Sequence, residues 1–202
     1  MTKIKLCGLS RPQDIRVVNT LRPEFVGFVF APDSRRYISP TQAQTLKALL
    51  SPEIQTVGVF VNEEVETVAG LLNSGIIDLA QLHGDENENY IRRLKKCTSK
   101  PVIQAFRITS VQDILRAEES IADHILLDAG AGTGSVFDWT LLRRSTRPYF
   151  LASGLGVHNV KTAVVQLTPY AVDVSSGIET DGVKDPDKMA AFVAAVRKEE
   201  KI

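Results

Sequence analysis

Six short segments of this sequence carry groups able to move a proton or grip an anion. Cys7 stands before Gly8 at the end of the run KIKLC. A thiol there becomes a base if nearby positive charge draws it to the thiolate; otherwise it is a small buried hydrophobe. Asp128 closes the apolar run HILLD; its carboxyl either transfers a proton or starts a turn. Arg36, in Ser34-Arg35-Arg36-Tyr37, offers a cation for a carboxylate, or a surface charge paired with Asp33. His83, in Gln81-Leu82-His83-Gly84, is either a polar contact or a hydrogen-bonded core histidine. Two loops, Ser153-Gly154-Leu155-Gly156 and Asp173-Val174-Ser175-Ser176-Gly177, are rich in glycine and serine. Singly each could be a tight turn; together they suit a phosphate, which backbone N–H groups can approach where side chains are absent.

The elements that must carry these groups follow from hydrophobic spacing. β-type runs are predicted near residues 3–7, 25–30, 56–61, 77–82, 102–106, 123–128, 149–152 and 171–175. Several, such as FVGFVF, are almost continuously apolar, as strands covered on both faces must be. Helical spacing fills the intervals: Val65, Val68, Ala69 and Leu72 lie on one face, as do Val160, Ala163, Val164 and Leu167, and again Met189, Phe192, Val193 and Val196. Ser39-Pro40 and Asp185-Pro186 read as N-caps followed by proline in the first turn, and Ser39 with Gln42 and Thr109 with Gln112 as capping boxes.

Eight strands alternating with eight helices predict an α/β protein, either a closed (β/α)8 barrel (TIM barrel) or an open doubly wound sheet. No Gly-x-Gly-x-x-Gly follows the first run, which counts against a dinucleotide-binding open sheet. The even count of eight favours the barrel, a single domain over residues 1–202. In such a barrel the C-terminal ends of the strands carry the chemistry, and all six segments fall there.

Lys plus Arg and Asp plus Glu both number 24, so nothing electrostatic points to nucleic acid or to an anionic membrane. Two cysteines, Cys7 and Cys97, are too few for a secreted disulfide scaffold, and the three histidines show no metal-ligand spacing with them. The N-terminal residues lack a signal peptide's apolar segment, and no apolar run approaches the ~20 residues of a membrane span. The expectation is a cytoplasmic protein, or an organellar one without its transit peptide, using neither metal nor other cofactor.

These segments together resemble the phosphoribosylanthranilate isomerase family. KLCGLS is similar to that family's KICGLT opening, and GFVFAPDSRRY to its second-strand segment. VGVFVN, QLHGDE, LLDAGAGTGSVFDW, SGLGVHNV and DVSSGIETDGVKD follow in the family's order and spacing, so the resemblance spans Met1 to about Phe192. It implies a cofactor-free barrel that carries out the Amadori rearrangement of phosphoribosylanthranilate in tryptophan biosynthesis, as a monomer or homodimer. By position it makes Cys7 the general base and Asp128 the general acid. Arg36 becomes the contact to the anthranilate carboxylate, across the barrel mouth from the phosphate. Gly154, Ser175, Ser176 and Gly177 fall on the phosphate loops. His83 and Asp173 join Arg36 as candidate substrate-binding residues, and Gly132 joins the phosphate-binding set. Ser153-Gly154 departs from the usual Gly-Gly, and Gly156-Val157-His158 precedes Asn159 where the family often has Asn-Pro-Glu.

Three alternatives compete. A histidine-pathway barrel isomerase would resemble a longer, twofold-repeated barrel with aspartate in place of Cys7. An indole-glycerol-phosphate synthase would carry additional lysine and glutamate at the strand ends. An inactive phosphosugar-binding barrel would keep the phosphate loops and lose the acid or base, and both Cys7 and Asp128 are present.

Overall fold

The computed structural model describes residues 1–128, 139–152 and 154–198. Its centre is a closed barrel of eight parallel strands, each paired with the next in chain order and the last with the first. The strands are β1 (Lys3–Cys7), β2 (Phe25–Val29), β3 (Gln55–Phe60), β4 (Leu79–Leu82), β5 (Val102–Arg107), β6 (His124–Asp128), β7 (Tyr149–Ala152) and β8 (Ala171–Val174). Each lies within two residues of its predicted run. The open-sheet alternative is thereby excluded.

Helices α1 (Pro12–Leu21), α2 (Pro40–Ala48), α3 (Val65–Asn73), α4 (Glu88–Cys97), α5 (Val111–Glu118), α6 (Val160–Leu167) and α7 (Pro186–Arg197) cover the outside. All three apolar faces read from the sequence are buried. The Ser39 and Asp185 caps form as expected, each followed by proline in the first turn. Two expectations change. The described part of the β6–β7 connection holds a single 3-10 turn, Leu142–Arg144, where the alternation called for a helix. The capping box of α5 is Ser110 with Asp113, one residue beyond Thr109 and Gln112. Asp113 prevails because it is charged and buried, and one of its oxygens accepts from both the N–H and the hydroxyl of Thr109 and of Ser110.

Side chains alternate along each strand, so one set faces the helices and the other the barrel axis. Phe25, Val57, Leu79, Ile103, Leu126, Phe150 and Ala171 pack together on the axis. Above them, towards the strands' C-terminal ends, Cys7, Val29 and Val59 form a smaller apolar group. Continuing the same faces by steps of two brings Gln81 and His83 from β4, Asp128 from β6 and Asp173 from β8 to the upper interior. After β8 the chain makes a 3-10 turn, Ser176–Ile178, and a short antiparallel hairpin, β9 (Glu179–Thr180) with β10 (Val183–Lys184), before α7.

Candidate active site

Cys7, Gln81, His83, Asp128, Gly154, Asp173, Ser175 and Ser176 line one cavity of about 190 Å³ at this end of the barrel, with Val59, Ala152 and Leu155 completing its wall. Six of the predicted site residues beyond the base and acid are His83, Asp173, Gly154, Ser175, Ser176 and Gly177. The first five share this cavity with Cys7 and Asp128. Gly177 adjoins it, and Gly132 lies outside the described residues.

Cys7 owes its place to β2. Gly27 is its register partner, and a Cβ on Gly27 would sit 2.5 Å from the Cys7 sulfur. The missing side chain is the space that the thiol occupies. Burial pushes the Cys7 thiol up, against the pull of Lys5; Asp173 pushes it further up and Lys184 draws it down. Below Cys7 on the same strand face, fully buried Lys5 is bonded to Asp173, Nζ to Oδ2, at 2.9 Å. The other Asp173 oxygen, Oδ1, is buried without a protein partner.

On the opposite wall the Gln81 amide nitrogen lies 2.8 Å from His83 Nδ1. An amide N–H only donates, so Nδ1 accepts and the ring proton sits on Nε2. His83 Nε2 faces Asp128 Oδ2 at 3.7 Å. Gln81 Oε1, like Asp173 Oδ1, is buried without a partner. Two such acceptors in one cavity are suited to hydroxyl or amine protons of a polyhydroxylated ligand.

Arg36 sits elsewhere than expected. Its guanidinium makes a two-pronged pair with Glu179, Nε to Oε1 at 2.7 Å and Nη2 to Oε2 at 2.8 Å. Asp33 is not its partner. Lys184 Nζ bonds the same Glu179 at 2.6 Å and also reaches the Ser175 carbonyl and hydroxyl. Arg36 therefore stands beside the β8 loop, joined to Ser175 through Glu179 and Lys184, rather than across the mouth from it. Burial works against the Glu179 charge, but hydrogen bonds from Arg36 and Lys184 hold its pKa at about 2. Among the described residues, Nη1 of Arg36 has no hydrogen-bond partner.

The two phosphate-loop candidates touch. A Cβ on Gly177 would lie 1.9 Å from the Leu155 carbonyl oxygen, so the backbones of the β7 and β8 loops meet with no room for a side chain. The N–H groups of Ser176 and Gly177 open a 3-10 turn and have no carbonyl within it to bond. Among the described residues, no cluster of three or more His, Cys, Asp or Glu is placed to hold a metal ion. None of the described helices is long and apolar enough to cross a membrane.

Lys5, Gln81, Glu179 and Lys184 escaped the sequence reading. Lys5 had a legible signal: a strand lysine two residues from Cys7 shares its face. Glu179 had none, because its partner lies 143 residues away.

Known proteins agree with this geometry. The family model for N-(5'phosphoribosyl)anthranilate (PRA) isomerase matches residues 4–195. The N-(5'-phosphoribosyl)anthranilate isomerase of Endomicrobium trichonymphae is 44% identical, over 98% of this chain and 99% of its own length. The solved phosphoribosyl anthranilate isomerase of Thermotoga maritima superposes with a TM-score of 0.88 at 35% identity, covering 98% of this chain and 100% of that one. A solved complex of phosphoribosyl anthranilate isomerase with reduced 1-(o-carboxyphenylamino)-1-deoxyribulose 5-phosphate superposes at 0.86, again at 35% identity and with coverage of 98% and 100%. With the barrel, the cavity and these likenesses in agreement, the chain belongs to the N-(5'-phosphoribosyl)anthranilate isomerase family, enzymes of tryptophan biosynthesis.

Proposed function

We propose that the chain performs its family's rearrangement with Cys7 as general base and Asp128 as general acid, the phosphate lying against the β7 and β8 loops. The observation that carries this assignment is that Cys7, from β1, and Asp128, from β6, line one cavity together with Gly154, Ser175 and Ser176.

The reaction moves protons only. Asp128 donates a proton to the furanose ring oxygen; the C1′–O bond breaks and the anilino nitrogen becomes a protonated Schiff base. Cys7, as thiolate, then takes the proton from C2′. The C–H electron pair forms the C1′–C2′ double bond, and the iminium electrons return to nitrogen. The enolamine tautomerises to 1-(o-carboxyphenylamino)-1-deoxyribulose 5-phosphate. No electrons pass between substrate and protein, so one acid and one base suffice without a cofactor. His83, its Nε2–H turned to Asp128, steadies the acid. Asp173 and Gln81 offer acceptors to the sugar hydroxyls, Arg36 offers Nη1 to the anthranilate carboxylate, and Ser176, Gly177 and Gly154 offer backbone N–H groups to the phosphate. The same proposal takes the protein as cytoplasmic, monomeric or homodimeric, and without nucleic-acid or membrane partners.

Loss of phosphoribosylanthranilate fluorescence on adding purified protein tests the activity. Cys7→Ala and Asp128→Asn should each lower turnover by roughly 10²–10⁴-fold. Asp128→Asn should hold a product analogue within about threefold of wild type, under ~1 kcal/mol. Near-normal turnover in either variant would remove that residue from the chemistry.

A further inference from the structure

The mechanism above asks Cys7 to remove a carbon-bound proton, yet the thiol is 8% exposed and shares its layer with Val29 and Val59. Apolar burial favours the neutral thiol. Something nearby must favour the thiolate, and two buried ammonium groups are close enough to matter, Lys184 and Lys5.

A lysine ammonium has three N–H donors. Lys184 has a partner for each, in the Ser175 carbonyl, the Ser175 hydroxyl and Glu179. Lys5 is 0% exposed; it donates to Asp173 Oδ2 at 2.9 Å, and the Cys7 sulfur is its other side-chain partner. Among the described residues its remaining donors meet no second oxygen, and water cannot reach a fully buried ammonium. Side chains two apart on a strand share a face, and the next group up that face is Cys7. We propose that Lys5 is a positioning residue for the base: its ammonium, clamped by Asp173, is the fixed cation that stabilises the Cys7 thiolate when it forms. The proton released by the thiol goes to water through the cavity, because Lys5 already carries three. The thiolate is then ready for the substrate C2′ proton. This inference rests on Cys7 being the base.

Other charged groups face Cys7 from the surrounding elements. Asp173 on β8 opposes thiolate formation, Lys184 on β10 and Arg36 after β2 assist it, and Asp128 on β6 and His83 after β4 share its cavity. Arg36 and Lys184 are both tied to Glu179, which offsets part of their charge. Lys5 and Asp173 therefore act on Cys7 with opposite signs.

That opposition gives the test. In a Cys97→Ser background, the ultraviolet absorbance of the Cys7 thiolate is titrated against pH, with Cys7→Ala/Cys97→Ser as the blank. Lys5→Met should raise the Cys7 pKa by roughly one unit or more, and Asp173→Asn should lower it by a similar amount. The acidic limb of the kcat/KM profile should move with the thiol in each case. If both substitutions merely loosened the barrel, both would let in water and shift the thiol downward together. A downward or absent shift in Lys5→Met overturns the proposal. Should that variant fail to fold alone, Lys5→Met/Asp173→Asn removes both charges at once and should return the pKa close to its starting value. A rise or no change in Asp173→Asn alone also overturns the proposal. The titration does not depend on turnover. Active Cys7→Ala would refute the assignment of the base while leaving the Lys5 result readable.

Discussion

Replacing Gly27 with alanine perturbs the base without touching any group proposed to bind substrate. The new Cβ would lie 2.5 Å from Cys7 Sγ and 3.0 Å from Cys7 Cα, where ordinary contact begins at 3.4 Å. One partner must therefore yield by about 0.9 Å, and more for a bulky sulfur. Neither the Cys7 nor the Gly27 backbone can yield easily, since Cys7 pairs with Gly27 in the ladder and the Gly27 carbonyl accepts from both Gly8 and Leu9. The thiol moves instead. A displacement of about 1 Å in a reacting group costs on the order of 10²-fold in rate, and overpacking costs about 1–3 kcal/mol of stability. Gly27→Ala should therefore lower kcat about 100-fold, while KM and product-analogue affinity stay within about threefold because the anion-binding loops are elsewhere. Steady-state fluorescence assays with a melting curve on the same sample give all three quantities. Wild-type kcat in a destabilised variant would show that the position of Cys7 does not limit the reaction, and the reasoning from thiol placement would fail.

Arg36→Ala should weaken a carboxylated product analogue by about 10- to 150-fold, the loss of a charge-assisted hydrogen bond of ~1.5–3 kcal/mol. Inorganic phosphate should weaken far less; equal loss of both would mean that Arg36 acts through Glu179 and the β8 loop. Glu179, held at about 2 against an ordinary 4.5, contributes stability that is present above pH 4.5 and lost as pH falls towards 2. A shift of that size is at most roughly 3–4 kcal/mol, and solvent at the barrel mouth screens part of it. The Tm advantage of wild type over Glu179→Gln should therefore shrink between pH 5 and pH 2; an advantage that grew on acidification would contradict the pairing. Because the proposed steps move only protons, activity should survive exhaustive EDTA treatment and desalting, and restoration by a divalent metal after loss would sink the mechanism.

The barrel was legible because its signals are local. Runs such as HILLD and FVGFVF identify doubly covered strands, and Ser39-Pro40 and Asp185-Pro186 mark helix starts within a few residues of chain. Where two local signals competed, chemistry decided between them: at α5, Asp113 took the cap that spacing alone assigned to Gln112. Between β6 and β7 the described residues hold a 3-10 turn, Leu142–Arg144, where alternation called for a helix; alternation is a rule about neighbours, and a connection only has to span the gap between two strands.

The sequence by itself determined which residues could do chemistry and which strand ends present them, since alternation along a strand and the motif order are written in one dimension. Only closure of the barrel decided what surrounds each group. β8 folds back beside β1, so that Asp173 meets Lys5 across 168 residues. Gly27 withholds a side chain and leaves room for the Cys7 sulfur. Glu179 takes two of the Arg36 donors, a pairing that neither the carboxylate nor the Asp33 reading of the sequence contained. Charge, burial and clearance are pairwise properties of groups remote in sequence, and a buried ion pair leaves no periodic trace in the chain that forms it.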